Sequence, residues 1–382
     1  MNWTDALDKA MLTTSVNISR FKSQFPYVSD GDGKYQLTDH ASWTEGFWPG
    51  ILWLSYEYSG DPAIREAAVS SVASLKERLE QGNYLEHHDI GFLYSLSAKA
   101  QWIVEKNESS RQTALEAADR LMRRWRPSAQ IIQAWGPEGD SENGGRIIID
   151  CLMNLPLLYW AAEQTGDPEY MKIARIHADK SRRFLVRGDD SSYHTFYFHQ
   201  ATGDPLNGGT HQGFSDGSTW TRGQAWGIYG FALAYRQFKE PYFLETSKRL
   251  ARYFIAHLPE DQVAYWDFDA PQVSGTPRDS SASSIAVCGL LELVEHLPDG
   301  DPEREYFRQA AEQSMTSLID HYFTAGSPTE EGFLRHGSYS VRGGISPDDF
   351  MIWGDYFFLE ALMRLNSRIP GYWYERLPTD PG

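Results

Sequence analysis

The run Ile147-Ile148-Ile149-Asp150-Cys151-Leu152-Met153, apolar onward to residue 162 and closed by Thr165-Gly166-Asp167-Pro168, decides how this chain folds. A helix that is apolar nearly all round has to be enclosed, whereas an amphipathic helix covers a core with one face. Residues 146–165 read as the first kind and residues 168–186 as the second. Between them Gly166 suits a helix C-cap, Asp167 an N-cap and Pro168 a first helical position. Similar punctuation returns at Ser59-Gly60-Asp61-Pro62 and Asp299-Gly300-Asp301-Pro302, and Gly82 closes another amphipathic run.

Working outward, helical periodicity dominates and strand alternation is scarce. Twelve helices are predicted, over residues 2–22, 44–59, 62–81, 89–105, 108–125, 146–165, 168–186, 221–238, 241–258, 280–297, 302–322 and 353–366. Odd-numbered members are amphipathic, as in 63–80 and 303–316; even-numbered ones are apolar nearly all round, as in 147–162 and 283–294. Six enclosed helices ringed by six amphipathic ones make an all-α (α/α)6 barrel, expected to be a single domain over residues 1–382. The inner helices begin near 44, 89, 146, 221, 280 and 353. In such a toroid they all start at one end, which gathers Asp89, Asp150, Arg222, Asp279 and Asp355 on one face. Loops near 126–145, 187–220, 259–279 and 323–352 feed the same end, and long loops in a compact domain are usually functional.

Composition narrows the function. The chain carries 35 basic and 52 acidic residues, a net charge of −17, which argues against nucleic acid or an anionic membrane as partner. Its 13 Trp and 21 Tyr exceed what core filling requires and point to a wet binding cleft, since each ring offers an apolar face and a polar handle. The two cysteines, Cys151 and Cys288, sit in apolar helical stretches and imply no disulfide framework. No basic-then-apolar leader opens the chain and no run approaches a membrane span, so a cytoplasmic location is expected.

Asp89, in His87-His88-Asp89-Ile90-Gly91-Phe92, and Asp150 each open an apolar run. A carboxylate so placed is unfavourable unless paired, hydrogen-bonded or used, and paired carboxylates are the usual equipment for cleaving glycosidic bonds. Desolvation by three isoleucines and Leu152 raises the pKa expected for Asp150, while a helix N-terminus lowers it. A carboxylic acid still protonated near neutrality is what a general acid needs. Asp279, in Arg278-Asp279-Ser280-Ser281, reads more naturally as an N-cap or an ion pair, and Asp355 as a buried, satisfied carboxylate. Adjacent histidines point apart on a helix and no His pair at i, i+4 occurs here, so neither a metal nor another cofactor is expected. Arg222, in Trp220-Thr221-Arg222-Gly223-Gln224-Ala225-Trp226, suits a bidentate grip on a carboxylate. Trp43, Trp135 and Trp226 offer sugar-stacking faces, or core, and His194 a donor to a hydroxyl.

Trp43-Thr44-Glu45-Gly46-Phe47-Trp48, the His-His-Asp segment, Arg146-Ile147-Ile148-Ile149-Asp150, His211-Gln212-Gly213, the Trp220–226 segment and Tyr339-Ser340-Val341-Arg342-Gly343-Gly344 together resemble the unsaturated glucuronyl hydrolases of glycoside hydrolase family 88. The resemblance spans Phe25-Pro26 to Trp353-Gly354-Asp355-Tyr356. It implies the (α/α)6 barrel and release of a 4,5-unsaturated glucuronic acid from lyase-generated oligosaccharides by hydration of the C4=C5 vinyl ether. By the same match Asp150 is the general acid and base, and Asp89 the second essential carboxylate. Trp43, His88, Trp135, His194, Gln212, Arg222 and Trp226 line the subsite, with Thr210 and Tyr339 assisting. The implied partner is a small oligosaccharide. The competing readings are an unsaturated rhamnogalacturonyl hydrolase on pectin fragments, a sugar epimerase on the same toroid using a histidine pair, and a non-catalytic carbohydrate-binding protein. The loop 338–349 is expected to border the next subsite, with Arg342 and Ser346 as sulfate acceptors or turn formers.

Overall fold

Short turns at one end and long loops at the other lace the helices into a ring. The computed structural model describes residues 2–376. Outer helix α1 (Trp3–Phe21) leads through the hairpin of β1 (Phe25–Ser29) and β2 (Tyr35–Thr38) to inner α2 (Phe47–Ser59) and outer α3 (Pro62–Gln81). The second inner position holds α4 (Ile90–Ser95) and α5 (Ala98–Glu105), backed by α6 (Glu108–Met122). Then come the short pair β3 (Trp125–Arg126) and β4 (Ile131–Ile132), strand β5 (Arg146–Ile148), inner α7 (Pro156–Thr165) and outer α8 (Pro168–Leu185). Strands β6 (Thr195–Phe198) and β7 (Pro205–Gly209) precede inner α9 (Thr221–Phe238) and outer α10 (Pro241–Ala256). Inner α11 (Ser280–His296), outer α12 (Pro302–Ser317) and inner α13 (Ile352–Ser367) follow. Each inner position packs on the next, that of α7 meeting α9 through the 3-10 turn before it, and α13 packs back on α2, which closes the (α/α)6 barrel.

The punctuation works as its chemistry requires. Gly60 and Gly166 adopt left-handed φ values of 67° and 75° at the ends of α2 and α7, where a side chain would be strained. Asp61, Asp167 and Asp301 then accept the backbone N–H of Ala63, Glu169 and Glu303 at 2.8, 2.9 and 2.9 Å.

Three predicted helices differ from what forms. Residues 89–105 break at Ser97, whose ψ of −88° ends α4; its hydroxyl donates back to the Leu93 carbonyl. Residues 146–165 do not begin as a helix. The β-branched residues Ile147 and Ile148 extend as β5, pair with Thr195 and Phe196 of β6, and hand over to a 3-10 turn, Ile149–Met153. Stiff β-branched side chains favour the extended form once a partner strand is available. Residues 302–322 finish as a π turn, Leu318–Tyr322.

Inner helices α4 and α9 approach the 3-10 turn closely. A Cβ on Gly91 would stand 2.4 Å from Asn154 Cα, and one on Gly230 would stand 2.3 Å from Leu152 Cβ. Among the described residues no helix is long and apolar enough to cross a membrane.

Candidate active site

At the long-loop end of the barrel lies a cavity of about 450 Å³. Its walls include Trp43, His87, His88, Asp89, Trp135, Asp150, His211, Gln212 and Tyr339, and its mouth Tyr84, Ser340 and Ile345. The two aspartates therefore share one space although they come from different inner positions. The chain between them is laced together: the His88 N–H donates to the Ala134 carbonyl (2.9 Å) and the Ala134 N–H to that of Arg146 (3.0 Å). The Arg146 guanidinium lies 4.4 Å over the Trp135 ring, fixing that indole against the wall.

Asp89 sits immediately before α4 but does not cap it. Its carboxylate instead faces His87 Nδ1 at 3.4 Å and His88 Nε2 at 3.5 Å, with Asn154 Nδ2 donating at 3.4 Å. Burial alone would raise its pKa. In the acid range where Asp89 titrates, the charge of a protonated His88, the hydrogen bond and charge of His87 and the hydrogen bond from Asn154 outweigh burial and hold it below the ordinary carboxylate value. His88 is itself lowered to about 4 by burial, so it is neutral at physiological pH.

Asp150 lies in the 3-10 turn, and its buried Oδ1 has no hydrogen-bond partner. Burial, reinforced by the Asp89 charge and opposed by Arg222, lifts its pKa to about 8. Near neutrality the cavity thus presents a protonated carboxyl beside an ionised one, the division of labour that different environments impose on two carboxylates.

Other expected residues stand behind the wall. Arg222 does not line the cavity. Its buried guanidinium pairs with Asp279 Oδ2 at 2.5 Å, and donates to the Ser338 carbonyl and, at 2.9 Å, to that of Tyr339. A free bidentate grip on a ligand carboxylate is thus replaced by a clamp on the Tyr339 loop. Gln212 Nε2 joins that clamp, donating to the Tyr339 carbonyl at 2.8 Å. His194 is buried, its Nδ1 accepting the N–H groups of His211 (3.0 Å) and Gln212 (3.3 Å), which leaves the proton on Nε2. Burial and the nearby Arg146 and His211 keep its pKa well below the usual histidine value. Thr210 Oγ1 accepts the Gly213 N–H at 2.7 Å and rigidifies the same loop. Trp226 is enclosed in the core with its ring 5.3 Å from both Phe92 and Phe357. Trp43, Trp135 and Tyr339 present their rings to the cavity.

Asp279 serves as both N-cap and ion-pair partner, accepting from the Ser281 N–H at 3.1 Å besides holding Arg222. Asp355 is buried and satisfied by the N–H groups of Phe333 and Leu334 and the Tyr35 hydroxyl. Sequence reasoning missed Tyr84, His87, His211 and Ile345 as wall residues. His87 and His211 adjoin residues that were singled out; Tyr84 and Ile345 carry no sequence signal, since only the loop paths bring them to the mouth. Among the described residues no group of three or more His, Cys, Asp or Glu side chains is arranged to hold a metal ion.

With that geometry in place, comparison with known proteins is specific. The family model for Glycosyl Hydrolase Family 88 matches residues 17–363, and this chain belongs to that family. It is therefore a glycoside hydrolase. The unsaturated glucuronyl hydrolase of Bacillus sp. (strain GL1) is 63% identical over 98% of this chain and 99% of its own. The unsaturated chondroitin disaccharide hydrolase of Streptococcus pyogenes serotype M1 is 44% identical over 97% of this chain and 92% of its own. The crystal structure of the Bacillus sp. GL1 enzyme, described as responsible for the degradation of glycosaminoglycan, superposes with a TM-score of 0.97 over 98% of this chain and all of that one.

Proposed function

We propose that this chain, acting as one catalytic unit, releases 4,5-unsaturated glucuronic acid from the non-reducing end of lyase-generated glycosaminoglycan fragments. The observation that carries the reading is that Asp150, its buried Oδ1 unpartnered, shares a cavity of sugar size with Asp89, whose carboxylate is met by His87, His88 and Asn154; burial raises the pKa of the first and these neighbours lower that of the second. The Asp150 carboxyl gives its proton to C4 of the vinyl ether, and positive charge develops at C5 and the ring oxygen. The buried Asp89 carboxylate stabilises that charge. Asp150, now a carboxylate, takes a proton from a water molecule whose hydroxide adds to C5. The resulting hemiketal opens by breaking the C5–O bond, and the hemiacetal left at C1 expels the leaving sugar.

Trp43, Trp135 and Tyr339 supply flat faces for the sugar rings, and His88 and Gln212 supply polar edges. Arg222, His194, Thr210 and Trp226 support that wall from behind. The names of the relatives, one of them a chondroitin disaccharide hydrolase, support unsaturated glucuronyl disaccharides as substrates. The test is to incubate the protein with unsaturated chondroitin or hyaluronan disaccharide and follow the ultraviolet absorbance of the conjugated double bond. Loss of absorbance with the wild type and none with Asp150→Asn is expected. Persistence of the signal across a panel of glucuronyl disaccharides would refute the reading.

A further inference from the structure

Asn154 is fully enclosed, contributes nothing to the cavity surface, and yet touches both carboxylate-bearing segments. Its Oδ1 accepts the Phe92 N–H of α4 at 2.7 Å. A backbone N–H can only donate, so this bond fixes which end of the amide is oxygen and turns Nδ2 toward the two aspartates. Nδ2 then spends its two protons on Asp89 Oδ1 (3.4 Å) and on the backbone carbonyl of Asp150 (3.2 Å). The backbone of Asn154 also presses on the first turn of α4 at Gly91, where no Cβ would fit. One side chain therefore spans 65 residues of sequence to join the turn holding one acid to the helix start holding the other.

We propose that Asn154 is a positioning residue for the reaction, its amide holding the Asp89 carboxylate in register with Asp150. The inference rests on the roles given to those two aspartates above. Asp89 is faced by Tyr84, His87 and His88 from its own segment, by Asp150 and Cys151 from the 3-10 turn, and by Arg124 just past α6. Donation from the two histidines depends on their tautomer and protonation, and Asp150 and Cys151 add no positive charge. Asn154 donates identically at every pH. A hydrogen bond to the charged form of an acid favours that form, so Asn154 also widens the acid range over which Asp89 stays ionised.

The test compares wild type with Asn154→Leu, which is similar in size and makes no hydrogen bond, and Asn154→Ser, which is too short to reach both partners. For each, kcat and KM on an unsaturated glucuronyl disaccharide are measured across pH, alongside thermal midpoints. The expected result is an acid limb of kcat/KM displaced upward by about one pH unit, roughly a tenfold loss on that side. KM should stay within about twofold, because the side chain does not touch the cavity. A purely structural role would lower the midpoint and leave the limb of the folded fraction where it was; an unmoved limb in both variants overturns the proposal. Wild type that leaves the double bond intact, or Asp89→Asn that retains full activity, overturns the underlying reading instead.

Discussion

Replacing Asp150 by Asn should abolish turnover and at the same time stabilise the fold, increasingly so at higher pH. The free carboxyl ordinarily titrates at 3.8, whereas in the folded protein burial and the Asp89 charge lift it to about 8. Above about pH 4 the unfolded chain gives up this proton while the native protein keeps it, so the unfolded state binds fewer protons and stability falls as pH rises. The loss accumulates up to about pH 8 and is flat beyond. Four units correspond to about 6 kcal/mol at about 1.36 kcal/mol per unit. Asp150 opens on a cavity that admits water, which reduces the penalty; about 3 kcal/mol is the working figure. With an unfolding entropy of about 2.1 cal/mol/K per residue over 382 residues, that is about 4 °C in the midpoint. Asparagine keeps the shape and cannot ionise. The assay is a thermal melt of wild type and Asp150→Asn in matched buffers between about pH 4 and pH 9. Subtracting the two removes the titration of every other group. The difference should grow by about 4 °C in favour of the variant across that range. A difference that does not vary with pH would refute the placement of a neutral acid at this position.

The same two carboxyls set the pH dependence of catalysis: kcat/KM should fall as pH climbs through about 8, where Asp150 loses its proton, and fall on the acid side only below the ordinary carboxylate range. A rate still constant at about pH 10 in the ultraviolet assay would contradict this. Asp279→Asn keeps an N-cap acceptor but leaves the buried Arg222 guanidinium without its counter-charge. Denaturant unfolding should show about 3 kcal/mol of destabilisation, and KM should rise as the Tyr339 loop loosens; wild-type stability would mean that the pair is not needed. Gly91→Ala places a Cβ 2.4 Å from Asn154 Cα, a backbone contact that no rotamer change relieves. It should cost about 2 kcal/mol or more and reduce kcat by shifting Asp89, as urea midpoints and initial rates would report.

How much of this was legible depends on the range of the forces involved. The Gly-Asp-Pro turns could be read because their bonds are local: Asp61 reaches Ala63 two residues on, and Asp167 reaches Glu169. The ring of inner and outer helices could be read because burial imprints a periodicity on each segment separately. The two aspartates stood out for a related reason, being charged groups in segments otherwise committed to the interior.

What could not be read was everything that depends on a distant partner. The isoleucines before Asp150 satisfy an enclosed helix and a strand equally well, and only pairing with β6 selects the strand. Arg222 shows a guanidinium but not its owner; Asp279 lies 57 residues on and Tyr339 lies 117. Asn154 carries no signal at all, because its meaning is the bond to Asp89. The sequence by itself determined the helical class, the order of inner and outer layers and the end of the barrel that carries the cavity, since local periodicity and caps suffice for these. Only the tertiary structure decided how Asp89 is held, which side chains line the cavity and which brace its wall from behind, because these depend on neighbours that the chain brings together from far apart.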